Sequence, residues 1–460
     1  MSPYATIVRM TARPLWWDAS TPTDRPSLTD DATVDVCIVG AGFTGLWSAY
    51  YLLRSDPSLS VLVVEAEHAG YGASGRNGGW VSALYPTPPE VLAKAHGDAA
   101  ARAQYAALRD SVAEVGRVVD AEAINCGFRH GGTVVVARSR AQLTRAKEEV
   151  AHSEHWSLGT SLLKQDAAVE RLCATGTLGA TYNPHCARVQ PRRLVDGVAD
   201  AVERLGGRIV EHTRVTSIEP GMAHTTGGPI IRAGSIIRAT EAWSSHLPGS
   251  TRAVAPVYSL IVATEPLAAD WWKRIGLARA ETFSEHRHVI VYGQRTSDDR
   301  LVFGGRGAPY HFRSGIRPEF DEDPRVFETL KSSLRQMFPV LDDVRFTHSW
   351  GGALGIPRDW QPSVGYDTAT GLGWSGGYVG DGVALSNLGG RTVAELVTGQ
   401  RTELSKLPWV QHNSRRWEPE PLRWLGINAG LQVASWADRE ERVTRRPATL
   451  GRVLSFLTGH

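Results

Sequence analysis

The first residues with a recognisable chemical task are Gly40, Gly42 and Gly45, spaced G-x-G-x-x-G immediately after the apolar run at 36–39. A carboxylate, Glu65, stands twenty residues beyond Gly45, at the end of a second apolar run at 61–64. Nothing in this set makes or breaks a bond; together it suits the binding of a dinucleotide. Gly40 permits a tight turn, Gly42 lets backbone N–H groups approach a pyrophosphate, and Gly45 lets helix and strand pack closely. The helix that follows would present its positive end to the phosphates. Glu65 takes the position of the ribose carboxylate and would repel a 2′-phosphate, which favours FAD or NAD over NADP.

These residues need a strand, a helix and a second strand to hold them, and the apolar pattern supplies each: strand 36–39, a helix through Leu46, Ala49, Tyr50 and Leu53, then strand 61–64. Five glycines fall within residues 70–80, implying backbone laid against something flat or bulky. Further on, helical spacing at Leu108, Val112, Val115 and Val119 predicts a core helix; 132–137 reads as a strand, and 141–152 and 166–172 as helices. Pro191 opens and Gly206-Gly207 closes another helix, before strands at 208–210, 215–219 and 235–239. Between 255 and 345 the pattern becomes strands 257–263, 288–292 and 301–304 followed by helix 325–337, an antiparallel sheet with a helix. A second glycine-rich strand-to-helix junction lies at 372–383. The fold class is therefore α/β with a second, α+β unit.

Composition narrows the function. The 460 residues contain 50 Lys plus Arg against 48 Asp plus Glu, a formal charge of +2 that makes no case for nucleic acid. Cys37, Cys126, Cys173 and Cys186 lack CxxC or zinc spacing and read as reduced structural thiols. His68, His130, His288 and His348 show no ligand spacing, so no metal is expected. Residues 1–33 lack the apolar core of a signal peptide and no apolar run reaches membrane-spanning length, so the expected location is cytoplasmic. That leader carries an aromatic island, Trp16-Trp17, expected to wrap over the first domain; the tail beyond Gln400 reads as a solvated helical face.

In order along the chain, residues 35–42, Glu65, residues 72–79, Ala239-Thr240 and residues 376–383 (Gly-Gly-Tyr-Val-Gly-Asp-Gly-Val) resemble the D-amino-acid oxidase superfamily of FAD-dependent amine oxidoreductases. The likeness is strongest to its gamma-glutamylputrescine oxidase-like and glycine- and sarcosine-oxidase-like branches. It implies a discontinuous Rossmann-like FAD-binding domain (1–95, 183–254 and 345–460) and a substrate domain of antiparallel sheet plus helices (96–182 and 255–344). It further implies noncovalent FAD held by Gly40, Gly42, Phe43, Thr44, Gly45, Glu65 and Ala66. Ser74, Gly75, Arg76, Asn77, Gly78 and Gly79 would line the ribityl and ring region, with Val215 and Thr240 flanking. Gly377, Tyr378, Val379, Gly380, Gly382 and Val383 would approach the pyrimidine edge.

The activity implied is oxidation of the C–N bond of an amine or amino acid, with oxygen or another electron acceptor completing the cycle. Such chemistry needs orientation and exclusion of water more than an acid–base triad. Candidate substrate-side residues are Arg76, Arg306, Tyr258, Trp350 and Tyr378, with Tyr292 in the same aromatic wall. Asp381 is expected to cap the last helix, with flavin contact or amine anchoring as its alternatives. The resemblance departs in two places: residues 301–303 offer no lysine near flavin N5, and no cysteine follows Cys186 to link a flavin covalently.

Overall fold

A computed structural model describes residues 13–18, 23–444 and 448. The first apolar run is the buried half of strand Ala32–Val39, whose final four residues are inaccessible to solvent. Buried on both faces, it sits centrally in a sheet ordered Ser363–Asp367, Leu372–Gly376, Ile230–Arg238, Ala32–Val39, Val61–Val64 and Arg208–Val210. The pairings from Leu372–Gly376 through Arg208–Val210 are parallel. This explains why these strands read as continuous apolar runs and not as alternating ones. Helices Phe43–Ser55, Asp98–Ala121, Pro191–Arg204 and Gly382–Thr398 share one hydrophobic core against the sheet. The first and last of these touch directly, since Gly390 packs against the Trp47 backbone, where a Cβ would meet it at 2.6 Å.

The second sheet runs Phe346–Ile356, Ala255–Thr264, Leu301–Arg306, Val291–Arg295, Thr282–Glu285, Thr133–Ala137, Gly179–Asn183 and Ser161–Lys164. It is antiparallel except where Thr282–Glu285 meets Thr133–Ala137. Helix Pro324–Met337 covers it through Phe327, Leu330, Leu334 and Met337. The mixed α/β architecture, with one sheet built on a parallel core and one mainly antiparallel, is the expected fold class.

Three local expectations change. The strand expected at 288–292 lies at Val291–Arg295, because the N–H groups of His288 and Val289 donate to the Asp438 carboxylate (2.7 and 2.9 Å) and not to a ladder. Phe346–Ile356, placed with the cofactor domain by a boundary at 345, is hydrogen-bonded along Ala255–Thr264 in the second sheet. Helix Asp98–Ala121, within the segment assigned to the substrate domain, contributes Leu108, Val112 and Val115 to the cofactor-sheet core. We propose that the working boundary falls after Ile356.

Candidate cofactor and substrate site

A cleft of about 430 Å³ opens at the carboxyl ends of the parallel strands, the ligand position of open α/β sheets. Two helix N-termini face it. Helix Phe43–Ser55 begins at Gly42 and helix Gly382–Thr398 at Asp381, and neither has a side-chain cap, so both leave opening N–H groups for a ligand. Tyr378 joins the two ends: its hydroxyl lies 3.0 Å from Thr44 Oγ1 and 2.9 Å from Ser375 Oγ.

The glycines divide the work as their spacing implies. Gly40 has φ +108°, and a Cβ there would meet the Ala239 carbonyl oxygen at 2.6 Å. A Cβ on Gly45 would overlap the Gly40 carbonyl. On Gly42 it would meet only Ser74 Oγ, at 3.0 Å, on the wall of the cleft. Ser74 Oγ itself accepts from Phe43 N at 2.8 Å, binding the 70–80 loop to the first helix. Glu65 lines the cleft, and its carboxylate accepts from Ala41 N (2.8 Å) and Glu67 N (3.0 Å); burial raises its pKa.

Of the cofactor candidates, Gly40, Gly42, Phe43, Thr44, Glu65, Ala66, Ser74, Asn77, Val215, Thr240, Tyr378, Gly380, Gly382 and Val383 line this one cleft. Gly45, Gly75, Gly78, Gly79, Gly377 and Val379 shape the backbone just behind it. Gly79 takes φ +74°, and Gly377 takes φ +76° against Pro357, where a Cβ would lie 2.5 Å from the proline ring.

The substrate-side candidates are distributed differently. Arg76 forms an ion pair with Asp321, donates from Nε to Tyr71 O at 2.7 Å, and lies over the Trp17 and Tyr71 rings. Its side chain is only 11% exposed, so this is an interior salt bridge and not a surface one. Tyr258 and Trp350 are fully buried: the Tyr258 hydroxyl accepts from Arg317 N (3.3 Å) and Trp350 Nε1 donates to Arg76 O (2.8 Å). Tyr292 pairs with Ser259 Oγ at 2.8 Å. Of this aromatic set only Tyr378 lines the cleft.

Arg306 reaches from the second sheet to the turn before the last helix, donating to Val379 O and lying over the Trp360 ring. Asp381 does not cap that helix. Its φ/ψ of −99°/33° is not the extended cap geometry, and its carboxylate turns to Ser82 Oγ at 3.3 Å. Burial lifts its pKa to about 6, opposed by the positive charge of Arg306.

Of the cleft residues that escaped the sequence reading, Glu241 is the most connected. Glu241 has φ +42°, and its carboxylate accepts from Gly377 N at 2.8 Å with support from the N–H groups of Tyr378 and Gly355. Burial raises it to about 7. It thereby ties the cofactor sheet, the second sheet and the last turn together. A carboxylate in a polar turn carries no periodic signal; only its left-handed backbone and its three donors distinguish it.

A cleft with two helix N-termini, glycines at 40 and 45 that the backbone dictates and a ribose-positioned carboxylate is built for a dinucleotide. Residues 35–396 match the family described as DAO, FAD dependent oxidoreductase, and the chain belongs to it. Gamma-glutamylputrescine oxidoreductase of Escherichia coli (strain K12) is 28% identical over 390 residues, 84% of this chain and 88% of that protein. Among solved structures, glycine oxidase from Geobacillus kaustophilus superposes with a TM-score of 0.67 at 23% identity, covering 83% of this chain and 99% of that one. L-Proline dehydrogenase from P. horikoshii gives 0.67 at 19%, covering 82% and 96%. The protein is an FAD-dependent oxidoreductase of a family whose members act on amines and amino acids. Among the described residues no helix is long and apolar enough to cross a membrane, and no cluster of side chains could hold a metal.

Proposed function

We propose that this enzyme oxidises the C–N bond of an amine that also carries an acidic group, giving an imine that water converts to a carbonyl product, with molecular oxygen reduced to hydrogen peroxide. Bound FAD supplies the two-electron acceptor for the hydride leaving the carbon beside nitrogen. The observation that carries the reading is the opposed pair at the start of the last helix. Asp381 is an uncapped, half-buried carboxylate, and Arg306 a cation held at the same turn.

Asp381 while ionised accepts a hydrogen bond from the neutral amine, and Arg306 neutralises a substrate carboxylate; together they orient the C–H bond that reacts. The cleft walls exclude water. The likeness to gamma-glutamylputrescine oxidoreductase supports an amine substrate. A second reading, transfer to an acceptor other than oxygen, is favoured by strand Leu301–Arg306, which carries no lysine.

The test is anaerobic bleaching of the bound flavin by a panel of monoamines, acidic amines and amino acids. Acidic amines should bleach fastest, and Asp381→Asn should remove the fall in kcat/KM as pH drops through about 6. A panel in which no amine or amino acid bleaches the flavin overturns the proposal. Rapid dye reduction with slow peroxide formation would move the enzyme to the second reading.

A further inference from the structure

Three consecutive carbonyls of the 70–80 loop are each held by a tryptophan. Trp17 Nε1 donates to Gly75 O at 3.0 Å, Trp350 Nε1 to Arg76 O at 2.8 Å, and Trp16 Nε1 to Asn77 O at 2.8 Å. Two of the three indoles come from the leader, in the short helical turn Leu15–Trp17, which lies outside the matched span 35–396. The turn is itself anchored at both ends: Gln190 Nε2 donates to Trp16 O at 2.9 Å, and Asp18 pairs with His348 at 2.8 Å. Leu15 and Trp16 are buried with Trp350, and the Trp16 and Trp350 rings meet edge to face at 6.0 Å.

A glycine-rich loop has wide conformational freedom, and holding it in one shape costs entropy that its own few contacts do not repay. Inside the loop two side chains act as braces: the Asn77 amide donates to Ala73 O and Ser74 O while its oxygen accepts from Gly79 N, and Arg76 Nε donates to Tyr71 O. The three indoles add an outer brace. In a trans peptide C=O and N–H point to opposite sides. Fixing the Asn77 carbonyl therefore fixes the opposite direction of the Gly78 N–H, which has no acceptor among the described residues.

We propose that Trp16 and Trp17 are positioning residues for the flavin: the leader is a strap that pre-forms the 70–80 loop so that its inner face, including Ser74 and Asn77 on the cleft wall, receives the cofactor without a folding penalty. This rests on the loop forming part of the FAD site and is independent of the substrate. Arg76 is sequestered by the same strap, its guanidinium lying 5.3 Å from the Trp17 ring centre.

The experiment compares flavin-free wild type, Trp16→Phe, Trp17→Phe and the double variant by flavin-fluorescence titration, with tryptic cleavage after Arg76 as a second readout. Phenylalanine keeps an aromatic ring and removes the donor together with part of the indole's volume, a loss the Trp409→Phe control shares. Each single variant should raise the FAD Kd roughly three- to tenfold, and the double roughly ten- to hundredfold. Cleavage after Arg76 should quicken. Trp409→Phe is the control, because that indole is fully buried and its Nε1 has no partner. A Kd within twofold of wild type in folded variants overturns the proposal, as does an equal rise in Trp409→Phe. Should the double variant fail to fold, the two single variants decide by the same criteria. Failure of every amine to bleach the flavin would leave these titrations unchanged and so refute only the substrate reading.

Discussion

Gly42 and Gly45 stand three residues apart in one motif, yet the structure assigns them opposite failures. Gly45 faces the sheet: an added methyl overlaps the Gly40 carbonyl oxygen, lies 3.1 Å from the Gly40 carbonyl carbon and 3.2 Å from Ile38 Cγ2. The Gly40 backbone cannot swing away, so Gly45→Ala must push the first helix off its strand. Overpacking of this kind costs about 3 kcal/mol, which lowers Tm by roughly 5 °C.

Gly42 has φ −77° and ψ −179°, a conformation open to any residue, and its added methyl meets only the Ser74 hydroxyl at 3.0 Å. Gly42→Val should therefore fold at a cost of about 1 kcal/mol, the worth of the Ser74–Phe43 hydrogen bond it disturbs. Its side chain would stand where the backbone meets the pyrophosphate and should raise the FAD Kd at least a hundredfold. Urea unfolding of both flavin-free variants, paired with flavin-fluorescence titration, separates the two effects. Full flavin occupancy in Gly42→Val, or an unchanged unfolding midpoint in Gly45→Ala, would refute this division of labour.

Two further outcomes are expected. Arg76→Ala leaves the half-buried Asp321 without its partner and should cost about 2 kcal/mol, while Arg76→Ala with Asp321→Ala should recover part of that loss; a strictly additive double variant in urea melts would show that the pair is not coupled. Glu241 titrates at about 7 in the folded chain, above the ordinary value of 4.5, so the native state binds its proton more tightly and its ionisation removes stability as pH rises between those values. The stability lost in Glu241→Gln should thus be greatest below about pH 4.5 and shrink by about 3 kcal/mol by pH 8; a pH-independent difference would refute the assignment.

The amino-acid sequence alone determined the dinucleotide cradle and most of the elements around it. The reason is local: G-x-G-x-x-G between apolar runs reports the backbone freedom and burial of the residues that carry it. Strands 61–64, 208–210 and 215–219 and the proline-opened helix at 191 could be read for the same reason, since composition and punctuation act within a few residues. The leader's aromatic island was legible as a wrap over the first domain, but not what it grips.

Only the tertiary structure decided the remainder. It put Phe346–Ile356 in the second sheet, since strand pairing is a non-local choice with no signature in the strand itself. It turned Asp381 away from the helix end toward Ser82 and Arg306, and buried Tyr258 and Trp350 behind the loop instead of on the cleft wall. It brought Glu241 onto Gly377 and three indoles onto three successive carbonyls. Side-chain direction depends on what packs against the far side of each element, and those partners lie hundreds of residues away in sequence, 334 between Thr44 and Tyr378.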